Sequence, residues 1–397
     1  MTIPKTPAPR TATPPDPYLI FFPLGIVLGF AGVIVWPLFY LGFTDGFWGL
    51  SHAFIQSNGF LFCFIAGFLL TAVPKFTGTE APTLSSQISL ATFITIGAIA
   101  FELQSYAVGQ TAFLVSYTML FVLLLQRYLR RHGALPVTFS LVGIALLTGM
   151  LGTIINALAA FEVLHSGWIT AGKRSLTEGM TLMLVLGVGG FLGPRLLGFD
   201  RLPVVQIAGV AGPKGRLLPE SPRYLFIIAG VTLLFSIAFE YGLGVTWMPF
   251  LRAIVATVVI AATMEPWKFP LVRSTLSWCV WTANWLLIFG LWLAAFLPIY
   301  RVDMMHITFI GGFSLLILAV GMRVTLSHGG HGLTAELKNW PLRVGLITGT
   351  IAMLARVGAP FSPESTARHL IYAATLWMIG LGFWGWRIFR LITSRRK

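Results

Sequence analysis

The residues of this chain best suited to hold a metal or cofactor are histidines. His306 opens an apolar run that closes on Arg323, and His328 and His331 flank a Gly-Gly turn just beyond it. Imidazole ligates copper, iron and zinc. His306 also follows Met304 and Met305, and thioether sulfur beside imidazole suits Cu(I). His328 and His331, two close imidazoles on one turn, are candidate copper ligands. His52, ahead of another apolar run, is a second candidate ligand. Arg252 lies a turn or two inside a third run, where a guanidinium needs a counter-charge or carbonyl partners. Glu102 and Glu240 are the candidate partners.

What the sequence lacks narrows the chemistry further. It has no Walker A segment and no HExxH, which disfavours ATP-driven transport and zinc proteolysis. No CxxCH occurs, so covalent c-type haem attachment is excluded. No two histidines lie 13 or 14 residues apart in one apolar run, and no His-His pair occurs. Any haem is therefore expected to take its ligands from different helices, or to have one ligand only. Cys63 and Cys279 both lie in apolar runs without metal spacing and read as inert buried thiols.

The elements that must position these groups are membrane helices. Hydrophobic residues make up 56% of the chain and charged residues only 10%, and the mean hydropathy is +0.83. A soluble chain carries about 25% charged residues, so this is an integral membrane protein. The net charge of +14 comes from basic residues in short loops between apolar runs. It therefore reads as a topology signal and not as a nucleic-acid footprint.

About twelve runs approach the roughly 20 residues that a bilayer needs. They cover 19–41, 54–74, 84–104, 109–127, 136–161, 175–198, 223–242, 246–264, 275–298, 304–326, 341–358 and 367–391. The expected fold is an all-α polytopic bundle of about twelve transmembrane helices in one domain (19–391), behind a Pro/Thr-rich disordered tail (1–18). With a cytoplasmic N-terminus, Lys and Arg favour the cytoplasmic side roughly four to one, so both termini are expected there. Gly67, Gly190 and Gly312 each precede a Phe in the second, sixth and tenth run, and each run ends on a basic residue: Lys75, Arg195 or Arg323. That pattern suggests three parallel four-helix repeats, about 19–135, 136–264 and 275–391, with those three helices lining a common centre.

On this topology His52, His165, His306 and His369 fall at the non-cytoplasmic side, with Gln56, Asn58, Asn156, Glu178, Glu240 and Arg252 toward the same half. A polar or cofactor-containing cavity opening outward is the expectation.

Three stretches carry a family resemblance. They are Gly67-Phe68-Leu69-Leu70-Thr71-Ala72-Val73-Pro74-Lys75-Phe76-Thr77-Gly78, Gly189-Gly190-Phe191-Leu192-Gly193-Pro194-Arg195, and the segment running from His306 through Gly311-Gly312-Phe313 and Arg323 to His328-Gly329-Gly330. Together they resemble the NnrS family of multi-span membrane proteins. Many members carry His-Glu-Met about a dozen residues before the first motif; here those positions read Phe54-Ile55-Gln56, and His52 is the nearest histidine. The resemblance implies a haem- and copper-containing protein of the bacterial inner membrane, linked to nitric oxide metabolism and nitrosative-stress tolerance. Respiratory or denitrification complexes are the implied partners. His306 is then the first choice for a haem ligand, His52 the second ligand or a distal group, with Arg252 nearby, and His306, His328 and His331 the candidate metal ligands. Nitric oxide binding, sensing and turnover all fit these residues. The rival reading is a secondary transporter with a polar intramembrane cavity.

Overall fold

In the computed structural model the described residues are 14–46, 49–199, 223–331 and 339–394. Residues 1–13 of the expected tail lie outside them. The described residues form twelve helices and no strand. They are α1 (Tyr18–Tyr40), α2 (Gly49–Thr77), α3 (Leu84–Glu102), α4 (Tyr106–Leu129), α5 (Phe139–Ala160) and α6 (Trp168–Leu197). The second half holds α7 (Arg223–Leu243), α8 (Met248–Met264), α9 (Thr275–Phe296), α10 (Pro298–His328), α11 (Trp340–Phe361) and α12 (Thr366–Thr393). Ten are long and apolar enough to cross a bilayer; the other two are α8, with 17 residues, and α12, with 28.

Nine helices close a ring in the order α1, α3, α4, α5, α7, α8, α9, α11, α12 and back to α1. The remaining three, α2, α6 and α10, fill the middle. In each of these, 72% of the most apolar stretch is buried, against 28–56% in the other spans. Small residues let the ring approach them closely. At Gly67 of α2, for example, a Cβ would lie 3.0 Å from the Phe22 ring of α1.

The three inner helices share a construction. Each is an α-helix interrupted by a π-helical stretch: Ile55–Leu61 in α2, Ser175–Thr181 in α6 and Ile307–Ser314 in α10. A π turn carries an extra residue, so its carbonyls fall out of the ordinary ladder. Side-chain hydroxyls take up part of that loss. Thr181 Oγ1 donates to the Leu176 carbonyl (2.8 Å) and Ser314 Oγ to the Phe309 carbonyl (3.0 Å), both five residues back. Each inner helix is also followed by a glycine in the left-handed region: Gly78 (φ 66°), Gly198 (φ 84°) and Gly330 (φ 70°). There a residue with a Cβ is disfavoured.

These marks set the register between the helices. The π stretches begin 120 residues apart (55 to 175) and then 132 (175 to 307). The left-handed glycines keep the same intervals, 78 to 198 and 198 to 330. Pro74 and Pro194, inside the last turns of α2 and α6, agree with the first interval. In this register Gly67 corresponds to Gly187, and Gly312 falls within a π stretch. The Gly-Phe intervals in the sequence, 123 and 122 residues, therefore depart from this register by 3 and by 10 residues.

Candidate functional site

All three π stretches open onto one cavity of about 530 Å³. Ligand pockets occupy roughly 300–1,000 Å³, so the volume suits a cofactor-sized guest. The cavity lies at the ends where α2, α6 and α10 begin. Gln56 and Phe60 reach it from the first π stretch, Thr177 and Glu178 from the second, and Phe309, Ile310 and Ser314 from the third. Trp36 of α1, Arg356 of α11 and Trp377 of α12 complete the wall.

Two histidines face this space, His52 from the first turn of α2 and His306 from the turn before the π stretch of α10. Their ring nitrogens are not equivalent. His52 Nδ1 lies 2.6 Å from the Gly32 carbonyl of α1, and His306 Nδ1 lies 2.7 Å from the Val302 carbonyl one turn back. A carbonyl oxygen only accepts, so both Nδ1 atoms donate and carry the proton. Each Nε2 is thereby left with a lone pair. This is the tautomer and the backbone support that ligating histidines use. Aromatic edges hold the rings: Trp36 packs on His52 with centroids 5.3 Å apart, and Phe309 on His306 at 5.6 Å. Met305 joins His306 in the wall.

Another part of the wall is charged. Arg252 of α8, fully buried, donates from Nε to Glu178 (3.0 Å), from Nη1 to the Ser236 hydroxyl (3.3 Å) and from Nη2 to Glu240. Arg301 of α10 donates to the same two carboxylates, at 2.7 Å to Glu178 and 2.5 Å to Glu240. Arg174 of α6 reaches Glu240 at 3.2 Å and Glu178 at 3.7 Å. Beside the cluster, Arg356 donates to Asp303 at 2.6 Å. Buried charges persist in a membrane only with such partners. The cluster joins α6, α7, α8 and α10 around the second π stretch.

Arg252 therefore stands behind the cavity wall and acts on it through Glu178. Of its two expected partners Glu240 is present. Glu102 lies elsewhere, at the end of α3, and Glu178 takes that place. Sequence reasoning left Arg301, Arg174 and Lys173 as loop cations. Glu178, an acid inside an apolar run, was the available signal that they belong to a site.

His328 and His331 sit at the far end of α10 with different partners. Lys75 Nζ lies 2.8 Å from His328 Nδ1, the Asp16 carboxylate lies 3.9 Å from the same nitrogen, and the Tyr18 ring packs edge-on. His331 Nε2 donates to the Leu391 carbonyl of α12 at 3.1 Å. His165 and His369 are not in the cavity wall; their Nδ1 atoms bond to the Gly167 amide and the Ala355 carbonyl. Among the described residues, no three His, Cys, Asp or Glu side chains come together as a metal site.

A family model described as NnrS protein matches residues 15–396. The chain belongs to the NnrS family. The three motifs that carry the resemblance fall on the three inner helices, so in this NnrS protein the family's sequence signature and the cavity share the same scaffold. Comparison with curated proteins finds no match.

Proposed function

We propose that this protein is a membrane haem protein acting in the response to nitric oxide, with haem held in the cavity between His306 and His52. One observation carries the reading: two histidines from different inner helices face one cofactor-sized space, each with Nδ1 tied to a backbone carbonyl and Nε2 free. That arrangement meets the requirement, set by the spacing of the histidines in sequence, that a ligand pair come from separate helices.

The cavity residues divide the work. His306 would hold the haem iron through Nε2, with His52 as a second ligand or beside the bound gas, and the carbonyls of Val302 and Gly32 fix the tautomer of the two rings and raise their basicity. Trp36, Phe60, Phe309 and Trp377 supply the flat apolar walls that a porphyrin needs. When bound, haem would supply an iron able to take up small diatomic ligands, with the affinity set by its histidine ligation and by the polarity of the pocket. The cavity is assigned to the non-cytoplasmic face of the bacterial inner membrane, because Lys75, Arg195 and Arg323 mark the other ends of the inner helices. The turn at His328 and His331 is the candidate copper site in the same reading. Copper there requires Lys75 and the Leu391 carbonyl to release the two rings.

The test is an optical spectrum of the detergent-purified protein, oxidised and reduced, before and after nitric oxide. The expected result is a Soret band that moves on reduction and again with nitric oxide. A protein made with ample haem that has no Soret band removes the reading and leaves the secondary transporter, for which interrupted helices around a charged cavity also speak.

A further inference from the structure

The charged wall does not balance. Five cations, Lys173, Arg174, Arg252, Arg301 and Arg356, stand in or directly behind it against three carboxylates, Glu178, Glu240 and Asp303. Lys173 lines the cavity beside Arg174, and no carboxylate pairs with it among the described residues. Arg301, only 8% exposed, spends both terminal nitrogens on Glu178 and Glu240, but its Nε–H is buried without a partner. Two uncompensated positive charges are costly in a membrane interior. What offsets them is an anionic oxygen ligand, which takes charge-assisted hydrogen bonds from such groups.

We infer that the Lys173–Arg301 wall is a binding site for a carboxylate or small oxyanion. Two sources share this chemistry: the carboxylate arms of the haem itself, or a free anion that shares the cavity with it. The inference extends the haem reading of the same cavity, and its test separates the two.

The experiment is thermal unfolding of the purified protein at constant ionic strength, with acetate or sulfate replacing chloride, alongside haem content. It is run on the wild type, Lys173→Met and Lys173→Arg. Lys173 is half-buried and outside the ion-pair cluster, so both variants are expected to fold. For a free anion, acetate or sulfate raises the wild-type melting temperature saturably. Lys173→Met then weakens the half-saturation concentration roughly tenfold or more, and Lys173→Arg restores most of it. For the haem carboxylates, the salts have no effect, Lys173→Met loses haem and Lys173→Arg keeps it. No salt effect and unchanged haem in Lys173→Met overturn the inference. Salt stabilisation in a wild type without a Soret band removes the haem reading and leaves the anion site standing.

Discussion

The two ends of the inner helices present two histidine pairs with opposite properties. His328 and His331 are neighbours in sequence, yet one ring is held by Lys75 and the other by the Leu391 carbonyl. His52 and His306 are separated by most of the chain, yet they line one cavity with matching nitrogens free. Closeness in sequence is therefore a poor guide to a ligand pair. The better guide is what each ring's second nitrogen already does, since a lone pair pointing into a cavity is available and one committed to a neighbour is not.

The largest effect expected from this contrast is at His306. His306→Ala should remove nearly all haem absorbance from protein that still inserts and purifies as a single species. Full haem content in that variant would put the two ends on equal terms and end the comparison. Next in size is the charge cluster behind the cavity. Arg252→Ala strands Glu178 and Glu240 without their central partner, and breaking a buried ion pair costs about 3–5 kcal/mol. The check is a sharply lower melting temperature or loss of folded yield, while Arg252→Lys recovers part of it. A variant as stable as wild type would show that the cluster does not hold the cavity end together.

Smaller effects belong to the opposite end. Gly198→Ala forces a Cβ into the left-handed region, a penalty of about 1–2 kcal/mol, to be read as a modest drop in melting temperature with haem content intact. Least disturbed should be the haem spectrum of the His328→Ala/His331→Ala double variant. Its copper content, by elemental analysis, is the value that should fall. Haem loss in that variant would mean that the two ends are coupled.

Much of the architecture was legible in the sequence because the bilayer leaves few options: every span must be long, apolar and helical. All twelve runs correspond to helices, most of them within a few residues at each end. The larger errors are instructive. The runs for α2, α6 and α10 were read as starting at 54, 175 and 304, whereas the helices start at Gly49, Trp168 and Pro298. The missing first turns carry His52, Lys173, Arg174 and Arg301, which end an apolar run but line a cavity instead of facing lipid, and Asp303, which pairs with the cavity-lining Arg356. Hydropathy cannot distinguish these two surroundings.

The π stretches left no sequence signature either, since they contain ordinary helix-compatible residues such as Ile55, Gln56 and Ile307. The partners of Arg252 were half legible: a buried arginine demands carboxylates, but which ones depends on how α6, α7 and α8 meet. The topology grouped His52 with His306 on one side, together with His165 and His369, and the family resemblance singled out the first two as haem candidates.

The extra residue in each π stretch has a consequence for how such a protein can change. An α-helix turns about 100° per residue. A single-residue insertion or deletion within a plain helix therefore rotates everything beyond it out of register. A helix that already accommodates a surplus residue confines that rotation to a joint. In α2, α6 and α10 the joint separates the cavity-lining turns from the glycine-packed half that seats against the ring. Each half can thus present its own face. The cavity end is free to be re-aimed over evolutionary time while the packed end, followed in each helix by its left-handed glycine, stays where it is.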